Sequence, residues 1–308
     1  MNRQGGYIEH FLEYLQIERR YSLLTVSAYR HDLEEFCSFL HIGFAALDPD
    51  SVTDDDIKEW LISLMDNGIS ARSVRRKLSS LRSFWKYCLR VGVAHRNPTQ
   101  LVLSPKISKP LPVFYKEREM RQERELERFA DDFISVRDNL IIEMLYQTGM
   151  RRAELIALSD GDVNEEARQI RVFGKRRKQR IIPVGDDLLE QILQYRQWRD
   201  ECYPERADDA LFLTKKGRRI NAATVYAVVH DRMMEVSTQK KQSPHVLRHT
   251  FATAMLDNGA DINTIKTLMG HASLAATQVY THVTFEQMKK AYAAAHPRNR
   301  TGKNGDTE

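Results

Sequence analysis

Four short stretches hold reactive side chains at the edges of otherwise apolar segments. In TGMRRAEL, Arg151 follows a Gly-Met pair, and Glu154 lies three residues on, where a helix would place both on one face. In SPHVLRHTFATAML, His245 and Arg248 are three apart and share a face, and His249 is four from His245. Val246, Phe251 and Met255 in that stretch are spaced to pack inward. GKRRKQR, from Gly174, offers Lys175 in a basic turn, and LMGHASLAATQVYTHV holds His271 directly after Gly270, with Tyr280 nine positions further. Together these residues are what phosphoryl transfer through a covalent intermediate requires. Two guanidinium forks can hold the non-bridging oxygens of a phosphodiester while charge builds. A histidine can exchange a proton with the nucleophile and a lysine can protonate the departing oxygen. A tyrosine, whose free phenol has a pKa of about 10, becomes a workable nucleophile among cations that favour its phenolate. No acidic cluster suggests a two-metal site, and none is required if arginines carry the electrostatics.

Each motif alone also has an ordinary reading. RxxE is commonly an exposed ion pair, a Gly-His step a plain turn, and Tyr280 a core aromatic. The spacing of His245 and His249 also fits zinc ligands on a helix. The glutamate that metalloproteases place after the first histidine is missing, however, and Val246 stands there.

The elements that must position these groups are mainly helical. In SLLTVSAYRHDLEEFCSFL, the residues Val26, Tyr29, Leu33, Phe36 and Leu40 trace one helix face, started near Ser22 and Thr25. From Ser70 the set Val74, Leu78, Leu81, Trp85, Cys88 repeats that stepping. This second helix carries the cations Arg72, Arg75, Arg76, Lys77, Arg82 and Lys86, which can lie along phosphates or simply be solvated. Four prolines between Gly92 and Pro112 end regular structure and mark a linker. Beyond it the pattern predicts helices over Tyr115–Asp132, Ser135–Gln147 and Arg152–Leu158. Two strands follow, Ile170–Phe173 and Arg180–Val184, joined by the basic turn with Lys175, Arg176, Arg177 and Lys178. Further helices are expected over Asp187–Cys202, Asn221–Val236, His245–Asn258, Asp261–Met269 and Phe285–His296. A short helical run from Ala272 carries Tyr280 towards its end, and the chain ends in a polar, disordered tail.

The bulk numbers agree with a nucleic-acid partner without requiring one. The 308 residues carry 47 Lys+Arg against 42 Asp+Glu, a formal charge of +5, with the cations gathered in clusters such as RRKLSSLR and GKRRKQR. The three cysteines, Cys37, Cys88 and Cys202, are far apart with no CxxC pair, which argues against a disulfide framework or zinc site and fits a reducing cytosol. No run of about 18 apolar residues and no signal-peptide pattern is read, so the expectation is a soluble, cytoplasmic protein with no membrane partner.

The ordered set TGMRRAEL, FGKRRKQRIIP, HVLRHTFAT, MGHASLAATQVYTH resembles the tyrosine recombinases of the phage integrase family, and the C-terminal TFEQMKKAYAAAHPRNRTGK is similar to their Xer group. The family order is Arg, Lys, His-x-x-Arg, His or Trp, Tyr. The resemblance implies Arg151 and Arg248 as a phosphate clamp, Lys175 as general acid and His245 as base or acid. It further implies His271 as a phosphate donor and Tyr280 as the nucleophile of a 3′-phosphotyrosine. Glu154 matches the position that supports the first arginine, and His249 a motif position with no required catalytic role. One departure is Arg176, which stands where the hairpin usually has glycine. The implied fold is mainly α with a small β-sheet, arranged as a two-domain C-shaped DNA clamp. A helical SAM-like core-binding domain spans 1–92, a linker 93–113, a mixed α/β catalytic domain 114–297 and a tail 298–308. DNA contacts are expected from Arg72, Arg75, Arg76, Lys77, Arg82 and Lys86 and from Arg176, Arg177, Lys178 and Arg180. The implied partners are double-stranded DNA at a specific recombination site and further copies, or a second Xer-type recombinase, in a tetramer, with a DNA translocase as activator. No cofactor or metal is expected. The implied activity is site-specific recombination that resolves chromosome dimers at a dif-like site. The alternatives are a mobile-element integrase or relaxing topoisomerase with the same chemistry, and a DNA-binding regulator without turnover.

Overall fold

The computed structural model describes residues 6–107, 113–127, 132–174, 179–206, 208–239, 241–270 and 282–300. The chain divides into two compact units, Met1–Pro110 and Leu111–Glu308.

The first unit packs α1 (Tyr7–Ile17), α2 (Leu23–Phe39), α3 (Asp54–Asp66) and α4 (Ala71–Val91) around an aromatic core. Phe11, Phe36, Trp60, Phe84 and Trp85 meet edge to face inside it, all essentially fully buried. The helix starts follow capping chemistry. The Ser22 hydroxyl accepts from the Thr25 amide, Thr53 and Asp56 form a reciprocal capping box, and Ser70 accepts from the Ser73 amide. Helix α4 ends at Gly92, whose φ of 74° is the left-handed stop that glycine takes without strain. The core continues past this glycine. Ala94 and Val102 are buried in it, and Arg82 donates to the Val102 carbonyl and to Ser104, so the first residues of the expected linker pack on this unit.

The second unit is built on α6 (Phe133–Thr148), which is buried along nearly its whole length. Around it lie α5 (Glu117–Glu127), α7 (Arg152–Ala157), α8 (Asp186–Cys202), α9 (Ala222–Val236), α10 (Pro244–Asp257), α11 (Ile262–Leu268), α12 (His282–Ala295) and the short α13 (Pro297–Arg300). Strands β1 (Val163–Asn164), β2 (Gln169–Phe173) and β3 (Gln179–Pro183) form an antiparallel sheet in chain order. Ile170 pairs with Ile182 and Val172 with Arg180, so these four residues occupy one face, which is the buried one.

Two expectations change here. The tail was expected to be free from residue 298, but Arg298 is buried and pairs with Glu143 of α6, so 297–300 belong to the packed unit. The other is α12, which is already helical at His282, three residues before the expected start. The helix expected from Ala272 lies outside the described residues. Among the described residues no helix is long and apolar enough to cross a membrane.

Candidate active site

Gly149 ends α6 with φ +58°, and a Cβ there would sit 2.3 Å from the Phe251 ring of α10. Only glycine lets the two helices approach this closely while turning the chain outward. Arg151 then caps α7: its amide donates to one Glu154 oxygen at 2.7 Å, and its guanidinium donates to the other at 2.8 Å. The expected Arg151–Glu154 partnership is therefore present, but it is not an exposed ion pair. Glu154 is 4% exposed, and Arg180 from β3 also grips it, with a 2.8 Å bond to each oxygen. Burial raises the Glu154 carboxyl, but the bonds and charge of Arg180, followed by those of Arg151, outweigh it and hold the group at about 2.

Helix α10 starts with Pro244 at its first turn, where a missing N–H costs nothing. Val246, Phe251 and Met255 face the core as their spacing predicts. Arg248 is 3% exposed, and it donates to the Gly149 carbonyl and, at 2.6 Å, to the Met269 carbonyl. Burial is the main cause that brings its guanidinium down to about 10; the nearby charges of Arg151 and Arg180 add to this, and Glu154 opposes it. It remains a cation at neutral pH. His245 is exposed one turn earlier, its ring 4.5 Å from that of His249. Its pKa lies below the ordinary value through partial burial, then repulsion from His249, Arg248, Lys241 and Arg151. His249 is lowered in the same sense by burial, Arg248 and Lys241. Among the described residues no third ligand joins the two histidines into a metal site.

The third contributor is the turn after α11. Its carbonyls at Leu268, Met269 and Gly270 accept from Arg180 (2.7 Å), Arg248 (2.6 Å) and Arg151 (3.4 Å) respectively. A helix C-terminus carries unsatisfied carbonyls and partial negative charge, so it gathers cations. Two of these arginines, Arg151 and Arg180, also share one carboxylate, Glu154. Arg151 and Arg248 thus converge from α7 and α10 on the turn that leads to His271, with Glu154 holding Arg151 and His245 one helical turn before Arg248. Lys175, Arg176, Arg177, Lys178, His271 and Tyr280 lie outside the described residues, and Gly174, Gln179, Gly270 and His282 flank them.

Two expected DNA contacts are corrected. Arg180 is not exposed to DNA: it is 7% exposed, on the buried face of β3, each of its nitrogens bonded within the protein. The strand alternation carried that signal, because Arg180 shares a face with Ile182. Lys77 is 6% exposed on α4, its ammonium bound to Glu35 and Asp32 of α2. Asp32, fully buried, also accepts from Arg76 at 2.7 Å and Ser80 at 2.6 Å. Arg72, Arg75, Arg76 and Lys86 are exposed, and Arg82 is partly so.

Comparison with known proteins shows the family. The sequence model of the phage integrase family matches residues 119–287, and that of the phage integrase N-terminal SAM-like domain matches residues 8–92. Tyrosine recombinase XerC of Chlorobaculum parvum is 37% identical over 94% of this chain and 94% of its own length. Tyrosine recombinase XerD of Staphylococcus saprophyticus is 35% identical over 94% of this chain and 98% of its own. Among solved structures, XerH bound to a palindromic difH substrate has a TM-score of 0.67 at 22% identity, covering 93% of this chain and 84% of that one. A lambda integrase dimer bound to a core site has a TM-score of 0.65 at 16% identity, covering 90% and 98%; both likenesses are of fold. The chain belongs to the phage integrase family, a class of DNA-cleaving and rejoining enzymes that act by transesterification. Within it the chain is a site-specific tyrosine recombinase of the Xer type. The C-terminal sequence resembles XerC in particular, yet relatives named XerC and XerD match at similar identity, which supports the Xer group as a whole.

Proposed function

We propose that the enzyme cuts one strand at each of two aligned duplex sites and holds the cut end on Tyr280. The phenolate oxygen attacks the scissile phosphorus, forming a 3′-phosphotyrosine and breaking the bond to the 5′-oxygen, which takes its proton from Lys175. The 5′-hydroxyl of the partner strand then attacks the phosphotyrosine, a new phosphodiester forms, and Tyr280 leaves with the proton restored. Each step exchanges one phosphoester for another, so no nucleotide cofactor is consumed. His245 exchanges a proton with the nucleophile, and His271 adds a donor to the phosphate.

The observation that carries this reading is the convergence of Arg151 and Arg248 around one turn, with His245 three residues before Arg248 on α10. The guanidiniums are already ordered by Glu154 and by backbone carbonyls, so charge developing on the phosphate meets donors that need little rearrangement. The exposed cations of α4 (Arg72, Arg75, Arg76 and Lys86), with Arg176, Arg177 and Lys178 of the hairpin, bind the phosphate backbone. The Xer relatives, and the difH substrate of XerH, favour a dif-like site and a role in resolving chromosome dimers during segregation. The working assembly is a tetramer on DNA, formed with further copies or with a second Xer-type recombinase and activated by a DNA translocase.

The test begins by selecting bound duplexes from a random-sequence pool and building a nicked suicide duplex from the recovered site. Wild-type protein should become covalently linked to it. Tyr280→Phe should bind with unchanged affinity and form no covalent complex; a linked product from that variant would overturn the assignment.

A further inference from the structure

Arg180 does work for which a basic hairpin gives no warning. It stands on β3 opposite Val172, on the face shared with Ile170 and Ile182. Its Nη1 and Nη2 meet the two oxygens of Glu154 at 2.8 Å each, and its Nε donates at 2.7 Å to the carbonyl of Leu268, the last residue of α11. Glu154 in turn holds both the amide and the guanidinium of Arg151. The next two carbonyls of the α11 turn receive Arg248 and Arg151. The backbone at Gly270 also lies flush against Arg180, since a Cβ there would come within 3.1 Å of Nη1. One guanidinium therefore ties three segments together: the strand that closes the Lys175 hairpin, the Arg151 turn, and the turn that precedes His271. Unlike Arg151, it has almost no solvent-facing surface with which to touch DNA.

We propose that Arg180 is a positioning residue for strand cleavage that fixes Arg151 through Glu154, its own guanidinium anchored on the α11 turn by the Leu268 carbonyl. This rests on the reading of Arg151 and Arg248 as the phosphate clamp. The role calls for a planar fork. A lysine at this position keeps the charge but cannot bond both oxygens of Glu154 and the carbonyl together. The carboxylate would then be free to swing, and with it the guanidinium that must meet the phosphate.

The test uses the full chain and the nicked suicide duplex from the selection above. Arg180→Lys and Arg180→Gln should bind the duplex within about twofold of wild type. They should form the covalent complex about 10- to 100-fold more slowly, the loss usual when a support for a reacting group is removed. Arg180→Lys serves as the milder variant should Arg180→Gln fail to fold. Two readouts separate positioning from general damage. The double variant of Arg151→Ala with Arg180→Gln should cleave no more slowly than Arg151→Ala alone, because both remove one function. A neutral methylphosphonate at the scissile position, which needs less cationic stabilisation, should shrink the deficit of Arg180→Gln as it shrinks that of Arg151→Ala. Wild-type cleavage by the Arg180 variants, defects that multiply with Arg151→Ala, or a deficit untouched by methylphosphonate would each overturn the proposal. Full cleavage by Arg151→Ala would instead bring down the clamp reading itself, a separate and recognisable result.

Discussion

Replacing Glu154 by Gln removes one negative charge while keeping the side-chain shape, and the structure sets the expected cost. The carboxyl sits at about 2 in the folded chain against an ordinary 4.5, and it is 4% exposed, so little solvent screens it. That gap corresponds to about 3 kcal/mol, at about 1.4 kcal/mol for each tenfold change in proton affinity. The same size follows from another direction, since removing one partner of a buried ion pair costs about 3–5 kcal/mol by stranding the other charge, here chiefly that of Arg180. The sign with pH is fixed by the depressed value. The stabilisation is fully present above 4.5, falls as pH drops below it, and is lost as pH passes through about 2. Scanning calorimetry of wild type and Glu154→Gln at neutral pH should show the transition of the catalytic unit lowered by about 6–12 °C, taking roughly 2–4 °C per kcal/mol for a unit of this size. Towards about pH 3 the difference between the two proteins should shrink by more than half, because only the wild type has a carboxylate to protonate. A shift under about 2 °C at neutral pH, or a gap that stays constant into acid, would refute the reasoning.

The same physics makes two further predictions. Asp32→Asn removes the carboxylate shared by Arg76, Lys77 and Ser80 and leaves the buried Lys77 ammonium with Glu35 alone. The first unit should lose about 3–5 kcal/mol in chemical unfolding, and an unchanged midpoint would show that the cluster contributes nothing net. His249→Gln removes the imidazole whose ring lies 4.5 Å from His245 and whose charge helps depress it. If neutral His245 is needed for cleavage, the acid limb of the pH–rate profile should move up towards 6.5, and a limb that stays put or moves down excludes this coupling.

The helices of this chain could be read from local pattern because their causes are local. The apolar stepping of Val74, Leu78, Leu81, Trp85 and Cys88 and the serine caps at Ser22 and Ser70 act within a few residues of where they stand. The expected helices do not include α1 and α3, although Thr53 and Asp56 give α3 a clear capping box. The reactive types and their order, Arg151, Lys175, His245, Arg248, His271 and Tyr280, are likewise properties of the chain alone, and the family follows from them.

Which cations are free to meet DNA is a different kind of question, and one-dimensional charge density cannot answer it. Arg180 and Lys77 sit in basic runs, yet each is turned inward by a carboxylate remote in sequence, Glu154 and Asp32. Arg298, in a polar terminus, is drawn in by Glu143 in the same way. The sequence by itself determined the residue types, the helical pattern and the order of the catalytic set. Only the tertiary structure decided that Arg151 and Arg180 share Glu154 and that both, with Arg248, meet the carbonyls of one helix end, because that balance depends on distances between segments that no local rule specifies.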